Sequence, residues 1–228
     1  MKVLLYGGTF DPPHNGHLNN LRAAAARVQP DKVVVMPAGL SPFKQKTSAP
    51  GALRLEMCSC FHALEEDADT IPQLEVSGWE IEQAAAGNRN YTVLTVEKLA
   101  RDYPGAQLYL AIGSDMLLSF DGWHRWQDIL RLAPSWWSPA AMWATTPSLH
   151  AKALRLDPTG ARILFAPVQA LPMASSDIRT RLTAGEGCEA ELPEAVRAVI
   201  RREKLYKKEV SANEPQTGKG ACARPLER

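Results

Sequence analysis

No stretch of this sequence approaches the roughly 18 consecutive apolar residues of a membrane-spanning helix, so an integral membrane protein is not expected. An excess of one charge is missing too, since 26 Lys and Arg face 25 Asp and Glu and leave a formal net charge of +1. Nothing overall then draws the chain to nucleic acid or to an anionic membrane, and any anionic ligand has to be held by a local site. Cysteine is scarce. Cys58, Cys60, Cys188 and Cys222 lack the paired spacing of a zinc site, and Cys58 and Cys60 fall in a helical pattern where their side chains diverge. They read as reduced, mostly buried thiols. No fixed-period repeat is present, which sets aside solenoids and propellers. Met1-Lys2-Val3 leaves no room for a signal peptide before the first strand-like run, so the expected location is the cytoplasm.

What is present is an average globular composition, 45% apolar and 22% charged over 228 residues, enough to bury a full core. Strand-like runs occur at Val3–Tyr6, Val33–Met36, Leu108–Ile112 and Ile163–Ala166, and helical patterns separate most of them. Leu18, Leu21, Ala25 and Val28 share one helical face, as do Leu53, Met57, Phe61 and Leu64. Further helices are expected from Thr92 to Tyr103, ended by Pro104-Gly105, from an N-cap at Ser176, and from Glu194 to Glu203. The alternation predicts an α/β fold: a doubly wound, mainly parallel sheet of five or six strands with helices on both faces. The segment from Pro134 to Pro147, with Trp136, Trp137 and Trp143, fits a strand followed by a loop or a partly exposed apolar surface. One domain is expected over residues 1–206, and residues 207–228, without apolar periodicity, read as a disordered tail.

The chemistry concentrates in Gly7-Gly8-Thr9-Phe10-Asp11-Pro12-Pro13-His14-Asn15-Gly16-His17, between the first strand and the first helix. Ligands of open parallel sheets bind beyond the carboxyl ends of strands, and two glycines let the backbone approach a bulky anion. The amides of Thr9 and Phe10 could then face phosphate oxygens. Asn15 is a suitable N-cap, which would put Gly16 and His17 in a first helical turn that favours negative charge, with His14 and His17 converging there. The plain alternative is a tight turn with helix-capping histidines. Zinc is disfavoured, because no glutamate follows in an H-E-x-x-H pattern and no cysteine is near in sequence.

This segment resembles the T/H-x-G-H signature of the nucleotidyltransferase superfamily, and residues 7–18 are most similar to its nicotinate mononucleotide adenylyltransferase branch. Further matches follow in order: Pro37-Ala38-Gly39 with Pro42 and Lys44, Asn90-Tyr91-Thr92, Gly113-Ser114-Asp115-Met116-Leu117, Trp123, and Ala174-Ser175-Ser176-Asp177-Ile178-Arg179, together spanning residues 2–206. The resemblance implies a Rossmann-like fold and a reaction in which the mononucleotide 5′-phosphate attacks the α-phosphorus of ATP. It implies that His17 contacts the α-phosphate, His14 the distal phosphates and Arg179 the triphosphate, these three being the catalytic candidates. The ATP site would comprise Gly8, Thr9, Phe10, His14, Gly16, His17, Gly113, Asp115, Ser175, Ser176 and Arg179. The mononucleotide would meet Thr9, Phe10, Lys44, Tyr91, Thr92 and Trp123. Mg²⁺ would ride on the phosphates, with no metal site built from protein ligands.

Several of these residues have a second reading. Asp115 could simply be a helix N-terminal acid, Lys44 a loop lysine and Arg179 a solvent-exposed side chain. Trp123, Trp126 and Leu130 fall at helical spacing, so stacking on a pyridine competes with core packing for Trp123. Two departures stand out: Ala174 replaces the first serine of the usual Ile-Ser-Ser-Thr, and His124 stands where several relatives have tyrosine. Phosphopantetheine adenylyltransferase shares the histidine and serine motifs but is usually much shorter, so length and Trp123 argue against it. A catalytically idle nucleotide-binding module is the rival from another class, opposed by the intact His14, His17 and Arg179. The expected partners are therefore ATP and nicotinate mononucleotide, without nucleic acid or membrane; self-association is left open.

Overall fold

The structure is a computed structural model that describes residues 1–39, 47–66, 70–133, 135–138, 146–166 and 171–207. Six strands pair in the order β3-β2-β1-β4-β5-β6. They are β1 (Lys2–Gly8), β2 (Lys32–Pro37), β3 (Leu74–Val76), β4 (Gln107–Gly113), β5 (Ser135–Ser138) and β6 (Leu164–Phe165), and every pairing is parallel. Helices α1 (Asn15–Val28), α2 (Gly51–Met57), α3 (Trp79–Ala85), α4 (Thr92–Asp102), α5 (Ser114–Leu118), α6 (Trp126–Leu132), α7 (Thr146–Leu156), α8 (Ser175–Thr183) and α9 (Glu194–Glu203) connect or flank them. Among the described residues, no helix is long and apolar enough to cross a membrane.

Strands buried on both faces read as continuous apolar runs, and their period of two sorts the side chains between two cores. Leu4, Tyr6, Val33, Val35, Tyr109 and Ala111 face the first, where Leu21, Ala25, Met57, Phe61, Ile178 and Val196 meet them from α1, α2, α8 and α9 and the segment after α2. Val3, Leu5, Val34, Met36, Leu110 and Ile112 face the second, against Val93, Val96 and Leu99 of α4, Ile129 of α6 and Leu149 of α7. The expected helical faces are therefore buried, with Leu18 and Leu53 only partly so. The order reverses between β1 and β4, which leaves a crevice at their carboxyl ends.

Three local expectations are corrected. The stripe from Leu53 to Leu64 is not one α-helix. After Met57 the chain tightens into a 3-10 segment over Cys58–Glu66, as the Cys58 amide reaches the carbonyls of Arg54, Leu55 and Glu56. Asn15 is not the cap of α1 but its first residue: its amide donates to the Glu191 carbonyl at 2.8 Å and its side chain to the Ala190 carbonyl at 2.8 Å. Extended His14 is the cap. Likewise α8 begins before Ser176, with Ala174 at the cap, because the Ser175 hydroxyl is spent on the Pro12 carbonyl at 3.0 Å and that of Ser176 on Asp177. Arg179 consequently lies at the fifth helical position, not in the first turn. The expected strand at Trp136 is β5, while the loop with Trp143, Cys222 and the tail beyond Lys207 lie outside the described residues. Cys58, Cys60 and Cys188 are free, buried thiols.

Candidate active site

At the end of β1 the backbone turns sharply. Phe10 takes a left-handed conformation, φ 48°, which costs a residue with a Cβ about 1–2 kcal/mol. Burial of its ring against Tyr6, Phe61 and His17, with centroids 5.5, 5.3 and 5.1 Å away, offsets that cost. Gly8 is required by the same packing, since a Cβ there would lie 2.8 Å from the Phe10 ring. A cis peptide joins Asp11 to Pro12. Arg54, 1% exposed, threads beneath this loop and donates to the Thr9 carbonyl at 2.7 Å and the Gly39 carbonyl at 3.1 Å, tying the end of β1 to the end of β2.

The histidines then stack, with ring centroids 3.7 Å apart and planes at 30°. Gly16 makes room beneath them, as a methyl group there would press on the His14 ring at 3.0 Å and stand 3.5 Å from Met173 Cβ. The His14 amide donates to His17 Nδ1 at 3.2 Å, which leaves the proton of a neutral His17 on Nε2. Burial lowers His14 to about 4, and burial followed by the neighbouring His14 holds His17 well below its usual range. At neutral pH both rings are thus uncharged, and His17 offers an N–H donor instead of a cation. Permanent charge comes from Arg179, whose Nη1 donates to the Asp11 carbonyl at 2.7 Å. No side chain caps α8, so its leading amides can accept an anion in place of the serine that Ala174 replaces.

These groups open onto one cleft of ≈ 730 Å³ between the carboxyl ends of β1 and β4. Its lining includes Gly8, Thr9, Phe10, His14 and His17 from the end of β1 through the start of α1, Gly113, Asp115 and Trp123 from β4, α5 and the segment after α5, and Ser175, Ser176 and Arg179 from α8. Asp115 serves both readings offered for it, lying in the first turn of α5 and facing the cleft; Gly113 lacks a Cβ that would meet Asp115 Oδ1 at 2.5 Å. Trp123 packs on Phe120 with centroids 5.2 Å apart and also lines the cleft, so its packing and cleft-facing readings hold together.

Tyr91 and Thr92 are not brought to this cleft. Thr92 is the first residue of α4, and Tyr91 lies against His124 at 4.5 Å with its hydroxyl accepting from Arg89, in a neighbouring hollow of ≈ 410 Å³. Lys44 and Pro42 lie outside the described residues. Among the described residues no group of three or more His, Cys, Asp or Glu side chains could hold a metal ion. Sequence reasoning missed Asp11, Arg54 and Tyr206 as supports of the loop, and Tyr6 and Asn20 on the cleft wall. Only Asp11 had a local signal, its position inside the motif.

The cytidylyltransferase-like family model matches residues 5–181. A protein of Neisseria gonorrhoeae (strain NCCP11945) named probable nicotinate-nucleotide adenylyltransferase is 37% identical over 211 residues, covering 91% of this chain and 99% of its own length. The chain belongs to the cytidylyltransferase-like family, in its nicotinate-nucleotide adenylyltransferase branch. A second adenylyltransferase of the same name, from Exiguobacterium sibiricum, is 34% identical over 206 residues, with 90% and 99% of the two chains covered. In three dimensions the chain resembles Plasmodium falciparum nicotinic acid mononucleotide adenylyltransferase complexed with NaAD, at a TM-score of 0.70 and 16% identity over 90% of this chain and 97% of the other. That likeness concerns the Rossmann-like fold alone.

Proposed function

We propose that this protein transfers AMP from ATP to nicotinate mononucleotide, giving deamido-NAD and pyrophosphate. A phosphate oxygen of the mononucleotide bonds to the α-phosphorus of ATP as the bond to the β-phosphate breaks, and pyrophosphate departs with that electron pair. The substrate supplies the nucleophile, so the protein has only to align the two phosphates and stabilise charge. One observation carries this reading: the stacked His14 and His17, the Arg179 guanidinium and the uncapped start of α8 converge on a single cleft.

In this reading His17 donates through Nε2 to the α-phosphate, where negative charge grows in the transition state. His14 faces the distal phosphates, and Arg179 with the amides of α8 holds the triphosphate. Across the cleft Asp115 accepts from ribose hydroxyls and Trp123 offers a face to the pyridine. Lys44, Tyr91 and Thr92 are assigned to the mononucleotide by the family motif alone, since Tyr91 and Thr92 do not line the cleft. Mg²⁺ would enter on the phosphates and keep most of its waters. When bound it screens the phosphate charge. The functional unit is residues 1–206.

Incubation with ATP labelled at the α-phosphate and nicotinate mononucleotide tests the proposal. Label should pass to a dinucleotide of the mass of deamido-NAD with one pyrophosphate released per transfer. Release of inorganic phosphate without a labelled dinucleotide would contradict it.

A further inference from the structure

The end of the described chain returns to the phosphate loop. Beyond α9, Lys204 and Tyr206 adopt left-handed backbone at φ 53° and 59°, a conformation disfavoured for residues with a Cβ. Tyr206 is held there by specific contacts. Its carbonyl accepts from the Thr183 hydroxyl of α8 at 2.9 Å, and its own hydroxyl donates to Asp11 Oδ1 at 2.8 Å. Burial and the charge of Asp11 push the Tyr206 phenol up, which keeps it a proton donor at all ordinary pH.

Asp11 is 3% exposed, and its carboxylate also accepts the amides of Ser48 at 2.7 Å and Ala49 at 3.1 Å. Its carbonyl receives the Arg179 guanidinium. A single buried carboxylate therefore joins the phosphate loop, the segment entering α2 and the C-terminal end, while the main chain of the same residue aims Arg179. Neither Asp11 nor Tyr206 lines the cleft, so both act through groups that do. Without the phenol, Oδ1 would keep only the longer bond from Ala49, and the carboxylate could rotate.

We propose that Tyr206 is a positioning residue for adenylyl transfer, its hydroxyl fixing Asp11 and through it the direction of Arg179. This rests on the function proposed above. Tyr206→Phe removes the hydroxyl and keeps the ring. The expected result is a rise of about tenfold in the KM for ATP, equivalent to about 1.4 kcal/mol, with the KM for nicotinate mononucleotide and the melting temperature nearly unchanged. In a double-mutant cycle, adding Tyr206→Phe to Asp11→Asn should cost little more than Asp11→Asn alone. Calorimetric binding of ATP should weaken in Tyr206→Phe by the same factor, and because that readout needs no turnover it separates a failure of the Tyr206 link from a failure of the wild type to transfer AMP. Unchanged ATP binding in Tyr206→Phe, equal rises in both KM values with a lowered melting temperature, or full additivity with Asp11→Asn would overturn the proposal.

Discussion

At the end of the cleft proposed to hold the phosphates, several groups have a specific partner: Phe10 packs on His17, Arg54 donates to the Thr9 carbonyl, the Asp11 carbonyl accepts from Arg179, and the Ala190 carbonyl accepts from Asn15. At the end proposed to hold the base, the described residues show a different arrangement. Trp123 rests on Phe120, whereas Tyr91 and His124 pair with each other beside a separate hollow. The contrast follows from what each end has to do. A transition state whose charge develops at fixed phosphorus and oxygen positions rewards donors that need no reorganisation, while a flat ring tolerates a stacking partner that shifts. Substitutions at the phosphate end should therefore act on turnover or on ATP, and those at the base end on the mononucleotide.

The largest effect is expected from His17→Ala, with turnover falling by a factor on the order of 10³, or about 4 kcal/mol. Steady-state kinetics with a thermal melt check it, and near wild-type turnover in the variant would remove His17 from the α-phosphate. Next comes acid sensitivity. The folded state lowers His14 from 6.5 to about 4, so it binds fewer protons than the unfolded chain between those values. The associated stability is complete above 6.5 and is lost as pH falls toward 4, by an amount on the order of 3 kcal/mol. Urea unfolding at several pH values should show a shallower decline for His14→Gln than for the wild type; identical slopes would mean that His14 is not buried uncharged.

Arg179→Ala should lower kcat/KM for ATP by a factor on the order of 10², about 2.7 kcal/mol, with Lys restoring only part because an ammonium cannot reproduce the guanidinium fork. A defect confined to the mononucleotide would move Arg179 to the other end of the cleft. Smallest is Trp123→Ala, expected to cost about tenfold in kcat/KM for the mononucleotide through lost stacking and to leave the KM for ATP alone. A change in ATP handling of the same size would erase the distinction between the two ends.

That distinction also explains how much was legible before the structure. The doubly wound sheet and the convergence of His14 with His17 follow from apolar periodicity and one contiguous motif, whereas the β1–β4 adjacency that forms the crevice is set by the strand order. The three-residue β3 was too short to show a period. The caps of α1 and α8 depart from local propensity because the Asn15 side chain donates to the remote Ala190 carbonyl and the Ser176 hydroxyl donates to the neighbouring Asp177 carboxylate. Arg54 is 1% exposed although charged, and Tyr206 meets Asp11 across 195 residues of chain, so neither had a local signal. Tyr91 and Thr92 adjoin the motif order but not the cleft: Tyr91 lines a separate hollow and Thr92 opens α4.

The central claim is best tested by pyrophosphate release measured in parallel with ATP and nicotinate mononucleotide, nicotinamide mononucleotide or phosphopantetheine. A site whose donors are matched to a carboxylate leaves them poorly paired by an amide NH₂ group, so nicotinate mononucleotide should be preferred in kcat/KM by at least ~10-fold, about 1.4 kcal/mol. Equal use of the two mononucleotides would contradict the specificity, and turnover of phosphopantetheine in their place would contradict the account as a whole.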